Sequence, residues 1–303
     1  MTYRSALEYG RQYLEEKEIA DASVDAWYLL EFSCGLDRTR YLLRMMDPMP
    51  EEEASRYQRL LEKRGSRIPL QHITGVQEFM GFPFQVNEQV LIPRQETELL
   101  VETALNELKP GMRVLDLCTG SGCILISLLK LCPGLAGIGL DISPEALEVA
   151  RQNGDALGVS AEFLESDLFQ CFRQNEERCQ EKGKTSAVRT FPEGKLPEEQ
   201  RYDLIVSNPP YIAAAVIGEL EEEVRLHDPR KALDGGPDGL CFYRRIVAEC
   251  LDYLKPSGWL MLEIGHDQGQ AVSAMMEKDF TEIRVIQDLA GLDRVVAGRR
   301  RKE

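Results

Sequence analysis

The spacing of apolar residues changes character twice along the chain. Through about residue 66 they recur at intervals of three and four, as in Ala6-Leu7 with Tyr13-Leu14, Ala26-Trp27 with Leu29-Leu30, and Tyr57 with Leu60-Leu61. That interval stacks side chains on one helix face, so residues 1–67 are predicted to form a small helical domain. Asp21 and Ser23 stand where they can cap the second helix, and Pro50 where it can open the last. Trp27 lies within the apolar stripe and is expected in the core. From Ile68 the pattern shortens. Gly75, Gly81 and Pro83 punctuate brief apolar and aromatic alternations, which predicts a β-hairpin linker over 68–93. Residues 96–108 again read as helix.

Beyond Met112 a strand–helix rhythm sets in, with strands expected at 113–117, 137–140, 162–164, 203–207, 259–263, 282–287 and 294–298. Alternation of this kind predicts an α/β domain over 94–303 with a mainly parallel, doubly wound sheet. The last two strands are separated only by 288–293, a link short enough for a hairpin, so an antiparallel element is expected at the sheet edge. One stretch, about 173–200, is polar and nearly free of large aliphatics. It is expected to be a long exposed insertion between the third and fourth of these strands.

Composition narrows the possibilities. The 303 residues suffice for two cores. No apolar run is long enough to span a bilayer and the N-terminus lacks a signal-peptide pattern, so a cytoplasmic protein is expected. Eight cysteines, none in a CxxC pair, and three histidines argue against a metal centre or a disulfide framework; reduced, mostly packed thiols are expected. A net charge of −15 disfavours a large duplex-DNA interface. The only basic clusters are Arg244-Arg245 and the tail from Arg299 to Lys302, the latter expected to be solvated.

Two segments carry chemistry. The first strand runs into Asp116-Leu117-Cys118-Thr119-Gly120-Ser121-Gly122, a turn whose glycines let the backbone approach a ligand. A pyrophosphate-binding fingerprint would need glycine at position 125, where Leu stands. Asp141 ends the second strand, where a carboxylate can accept both hydroxyls of a ribose; its ordinary alternative is to cap the next helix, a task Ser143 already suits. Asp167, after the third strand, is placed to accept from an adenine amino group.

The fourth strand ends in Asn208-Pro209-Pro210-Tyr211. Adjacent prolines fix the backbone and remove two N–H donors, and Asn208 before them is held extended. The product is a rigid shelf of acceptors with an aromatic beside it. Such a shelf suits methylation of a planar, conjugated NH₂, whose delocalised lone pair is a poor nucleophile. The Asn208 side-chain oxygen and the Pro209 carbonyl can each accept one N–H and so aim the nitrogen at a methyl donor. Positioning of this kind supplies several kcal/mol, roughly 7 at best alignment.

The chain closely resembles the HemK/PrmC family, the N5-glutamine methyltransferases of peptide chain release factors. The likeness rests on Pro69-Leu70-Gln71-His72-Ile73-Thr74-Gly75, on Phe79, Gly81 and Phe84, on Val90-Leu91-Ile92-Pro93-Arg94, and on DLCTGSG and NPPYI. It continues through the stretch from Val224 to Leu240, LEIG at 262–265, and DLAGLDRVVAG at 288–298. The resemblance implies a class I S-adenosylmethionine-dependent methyltransferase with a Rossmann-like, seven-stranded, mostly parallel sheet. It implies S-adenosylmethionine, without a metal, held by Cys118, Thr119, Gly120, Ser121, Gly122, Asp141, Asp167, Leu168 and Asn208. Catalysis and substrate binding fall to Asn208, Pro209, Pro210 and Tyr211. The substrate it implies is the glutamine of the Gly-Gly-Gln motif of class I release factors, docked on the helical domain. Three positions depart from the family pattern: Cys118 and Leu168, where Gly and an aromatic are usual, and Gln95, where Pro is usual. The rival readings are an adenine-N6 nucleic-acid methyltransferase, which the charge disfavours, and a non-catalytic S-adenosylmethionine-binding partner of a translation factor, which the intact tetrapeptide disfavours.

Overall fold

Two compact units emerge in the computed structural model, which describes residues 1–173 and 196–302: Met1–Val76 with Leu220–His227, and Gln77–Glu219 with Asp228–Glu303. Of the polar stretch expected at 173–200, residues 174–195 lie outside those described, as does Cys179.

The first unit is built from α1 (Tyr3–Glu16), α2 (Ala22–Cys34), α3 (Arg38–Arg44), α4 (Glu51–Gly65) and α5 (Leu70–Thr74). Their apolar stripes meet in one core containing Tyr3, Leu14, Trp27, Leu30, Tyr57 and Leu61. Trp27 is buried there, edge-on to Tyr41 and under the Arg38 guanidinium. The unit runs past the expected boundary at 67, because Leu70 and Ile73 of α5 pack on this core. It also takes in a distant segment, the short helix Glu222–His227. Buried Arg64 reaches Asp25 at 2.6 Å and Glu223 at 2.8 Å, and this charge pairing holds the segment to the unit.

The second unit begins with a hairpin of β1 (Val76–Phe79) and β2 (Phe82–Gln85), whose Phe79 and Phe84 enter the core. Five parallel strands follow: β3 (Arg113–Leu117), β4 (Ala136–Asp141), β5 (Glu162–Glu165), β6 (Tyr202–Ser207) and β7 (Leu254–Glu263). Strands β8 (Phe280–Gln287) and β9 (Asp293–Arg300) complete a seven-stranded sheet in the order β5-β4-β3-β6-β7-β9-β8. Seven mostly parallel strands with helices between them make this the expected class I methyltransferase architecture. Successive residues of β6 and β7 face opposite sides, as a strand's period of two requires. Ile205, Leu260 and Leu262 join one core cluster, and Leu204, Val206, Trp259 and Met261 the other.

The closing hairpin is the antiparallel element expected at the sheet edge: β9 inserts between β7 and β8, with Val295, Val296 and Ala297 fully buried, and β8 takes the outermost place. Two local expectations are corrected. The basic tail is not wholly solvated. Arg300 belongs to β9, is buried, and donates to the carbonyls of Leu251 and Leu254, while Arg299 donates to the Ser257 carbonyl. Similarly, the end of the polar stretch is packed rather than exposed, because Leu196 enters the core and the Gln200 carbonyl accepts from Arg113. Among the described residues no helix is long and apolar enough to cross a membrane.

Candidate active site

Strand register decides which residues meet. Leu117 pairs with both Leu140 and Ser207, and Ser207 with Leu262. The next residues, Cys118, Asp141, Asn208 and Glu263, therefore emerge in one row at the carboxyl edge of the sheet. Strand order reverses between β4-β3 and β6-β7 at this point, where open α/β sheets bind ligands. The Ser207 hydroxyl donates to the Leu117 carbonyl at 2.7 Å and ties the two central strand ends together. A cavity of about 510 Å³ opens here, within the range of small-molecule sites.

The loop after β3 is braced from below and from the side. Asp116 is fully buried, and burial pushes its carboxyl up to about 7 against the hydrogen bond it accepts from the Thr119 hydroxyl at 2.6 Å. Cys118 adopts φ +58°, the left-handed region that favours glycine, which is the conformational reason its position suits Gly. Gly122, at the N-terminus of α7 (Cys123–Leu131), has φ +79°, and a Cβ there would lie 2.8 Å from Ile126. Asp141 accepts from the Gly120 and Ser143 backbone N–H groups, each at 2.9 Å. Burial nevertheless raises its pKa, with these donors opposing. It thus shapes the loop as well as facing the cavity, while Ser143 caps α8 (Pro144–Leu157).

Cys118, Thr119, Gly120, Ser121, Asp141, Asp167, Leu168, Asn208 and Pro210 all line the cavity. Gly122, Pro209 and Tyr211 are not on its wall. Gly122 serves the turn, and Tyr211 turns toward the core behind the shelf, where burial raises its phenol pKa. The loop is fastened by Gln268, whose amide donates to the Tyr211 carbonyl at 3.0 Å and accepts from Gly265 N–H at 2.9 Å. Asp167 is not a free acceptor, since one oxygen is held by Arg245 at 2.8 Å.

Several of these partners escaped the sequence reading. Thr97, in the first turn of α6 (Gln95–Leu105), is buried and accepts a hydrogen bond at 3.2 Å from the Asn208 amide. Arg94 lines the cavity and pairs with buried Asp228 at 2.6 Å. Glu263 is buried at the end of β7, and burial pushes its carboxyl up to about 7. Of these, Arg94 and Glu263 lay within motifs already singled out, IPR and LEIG, but no local pattern pointed to their partners.

Comparison with known proteins bears on this arrangement. Residues 5–75 match the model of the PrmC N-terminal domain, and residues 108–299 that of a methyltransferase domain. The chain is 40% identical over 299 residues to a release factor glutamine methyltransferase from Geobacter sulfurreducens, covering 98% of this chain and 96% of that one. It is 42% identical over 284 residues to a protein of the same description from Cereibacter sphaeroides, covering 93% and 92%. Among solved structures, a methyltransferase from Pyrococcus furiosus matches with a TM-score of 0.50 at 16% identity, over 80% of this chain and all of that one, a likeness of fold. With a full-length match at this identity, the chain belongs to the HemK/PrmC family of release factor glutamine methyltransferases.

Proposed function

We propose that the chain transfers a methyl group from S-adenosylmethionine to the side-chain amide nitrogen of the glutamine in the Gly-Gly-Gln motif of class I peptide chain release factors. The observation that carries this reading is the state of Asn208. Its Nδ2 is committed to Thr97, which leaves Oδ1 as the atom available to accept from an incoming NH₂ at the rim of the cavity. The second hydrogen is assigned to the Pro209 carbonyl, in a dipeptide without competing N–H groups, although the cavity wall itself is formed by Asn208 and Pro210 on either side of it. Together these acceptors bend the planar amide toward a tetrahedral nitrogen and aim its lone pair. The neutral Asn-Pro-Pro-Tyr shelf suits a carboxamide better than a cation.

The donor set fits the proposed cofactor. Asp141 presents its carboxylate to the cavity beside Gly120, where a ribose diol would sit, and Leu168 with the unpaired side of Asp167 offers an apolar and an accepting contact for adenine. S-adenosylmethionine bound there supplies a methyl group on a positively charged sulfur. Asp141→Ala is expected to weaken its binding by about 1.5–3 kcal/mol, the scale of a charge-assisted hydrogen bond. Titration calorimetry on the folded variant measures this, and an unchanged affinity would move the ribose elsewhere.

The helical unit supports the docking role. Val24, Tyr28 and Phe32 recur every four residues along α2 and are exposed, as are Leu42, Leu43 and Met46 in and after α3. Exposed large apolar residues in such a row mark a protein-binding face. The net charge of −15 suits a partner with basic groups. The deciding experiment is mass spectrometry of a release factor after reaction. One methyl group is expected on the Gly-Gly-Gln glutamine and none once that glutamine is replaced by alanine. A methyl elsewhere on the factor, or only on nucleic acid, refutes the substrate.

A further inference from the structure

Pro209 and Pro210 bring no N–H to the shelf they form, so the place of its carbonyls is set from the two ends of the span. One end is the last residue of β6. Ser207 is registered between Leu117 and Leu262, and its hydroxyl donates to the Leu117 carbonyl at 2.7 Å. The other end is Tyr211, where the chain leaves the shelf for a loop. Ile212 N–H donates to the Leu233 carbonyl at 3.0 Å, and the Ile212 carbonyl accepts from Gly235 at 2.8 Å. The Tyr211 carbonyl itself is held by Gln268.

Gln268 stands just before the helix Gly269–Met276, whose Val272 and Met276 are buried, so its backbone is anchored to the core. Its Nε2 donates to two carbonyls, Tyr211 at 3.0 Å and Gly239 at 3.3 Å, while its Oε1 accepts from the Gly265 N–H at 2.9 Å. Carbonyls only accept and a backbone N–H only donates, so these partners dictate which way the carboxamide points. The space around it is equally defined. A Cβ on Gly239, which has φ +73°, would lie 2.4 Å from the Tyr211 carbonyl oxygen and 2.8 Å from Gln268 Nε2. A Cβ on Gly235 would lie 2.8 Å from the Tyr211 backbone. The loop 235–239 therefore lies directly against Tyr211, with Gln268 bonded to both. We infer that Gln268 is a positioning residue for methyl transfer: it clamps Tyr211 to the loop at 239 and to Gly265 after β7, and so fixes the far end of the span that carries the acceptors. This rests on the proposed role of the Asn208–Tyr211 shelf as the amide acceptor.

Gln268, Gly235 and Gly239 are not on the cavity wall, so their influence reaches the reaction through Tyr211. The groups assigned to the cofactor are held by other bonds. Asp141 accepts from Gly120 and Ser143, Thr119 donates to Asp116, and Arg245 holds Asp167. Loss of the clamp should therefore slow the chemical step and leave cofactor binding in place. Displacing a reacting group by about 1 Å is enough to cost up to about 10²-fold in rate. Glutamate at 268 has the shape of glutamine and still accepts from Gly265. Where Nε2 gave two hydrogen bonds to carbonyls, an ionised carboxylate gives none and a protonated one gives at most one. Methionine removes the same bonds without adding charge.

The test is kcat and KM for methyl transfer to a purified release factor, with S-adenosylhomocysteine affinity by calorimetry and thermal unfolding to check the fold. The proteins are wild type, Gln268→Glu, Gln268→Met, Gly239→Ala and Asn208→Ala. Both Gln268 variants are expected to lose at least about tenfold in kcat, while S-adenosylhomocysteine affinity and KM for the methyl donor change less than about threefold. Gly239→Ala pushes on the Tyr211 carbonyl with Gln268 intact and should show the same split. Combined with Gln268→Met it should cost less than the product of the two losses, because both act on one contact. If Gln268→Glu does not fold, Gln268→Met, neutral and of similar volume, carries the comparison. A kcat within about twofold of wild type in a folded Gln268 variant overturns the inference. So does a loss of cofactor affinity in proportion to kcat, the mark of a residue that merely supports the fold. Asn208→Ala separates the two levels: if it stays active the reading of the shelf fails, whereas if it is dead while Gln268→Met turns over as wild type only the present inference fails.

Discussion

Asn208→Ala is expected to lower kcat by about 10²- to 10³-fold, or roughly 2.7–4 kcal/mol of transition-state stabilisation, the cost of deleting one preorganised hydrogen-bonding group at a reacting centre. The carboxamide is poised at the carboxyl end of β6, with Nδ2 on Thr97, so its oxygen meets the substrate without reorganisation. Alanine leaves the Pro209 carbonyl as the only acceptor, and the substrate nitrogen keeps its planar, unreactive geometry. The fold should tolerate the change. Asn208 is half-buried and its side chain donates to the Thr97 hydroxyl, a bond whose loss costs about 1 kcal/mol. Single-turnover methyl transfer, cofactor affinity and thermal unfolding measured on one preparation check all three. Turnover within a few-fold of wild type would show that the amide is not oriented by this residue.

The second large effect is on stability. Arg64→Ala should destabilise the helical unit by about 3–5 kcal/mol, because it strands Asp25, 5% exposed, as an unpaired buried charge. Burial already outweighs Arg64 at that carboxyl, raising its pKa despite the 2.6 Å contact, so the pair is a poor net stabiliser but a costly one to break. The double variant Asp25→Leu/Arg64→Met should therefore recover most of the loss. Arg64→Ala also removes the partner of Glu223, and faster hydrogen exchange is expected across 222–227 than elsewhere in the unit. Urea denaturation measures the first effect; a loss below about 1 kcal/mol would mean that Asp25 finds water or another partner.

The amino-acid pattern alone determined the elements and their class. A period of two or 3.6 is a local property, and it survives whatever packs against it. So the seven strands, the helical first unit and the Asn-Pro-Pro-Tyr strand end were legible within windows of a few residues. The need for a small or glycine-like backbone at 118 was visible only as a departure from a family pattern until φ +58° gave its physical cause. What the windows did not carry was adjacency. Thr97 and Asn208 are 111 positions apart, and Arg94 and Asp228 are 134 apart. Nothing near any of these residues encodes the other.

The same limit explains what the local pattern left open. β9 reads as a strand from its own residues, but insertion between β7 and β8 depends on which free edge its hydrogen bonds complete. Arg300 reads as a solvated tail charge, but the carbonyls of Leu251 and Leu254 at the end of a neighbouring segment turn it into a buried donor. Residues 220–227 follow the catalytic strand in the chain, yet Arg64 recruits them to the helical unit. Sequence determined which side chains could be acceptors, donors or core. The tertiary structure alone decided which buried polar groups face one another, because a desolvated charge or amide is satisfied by whatever the fold brings within about 3 Å, not by its neighbours along the chain.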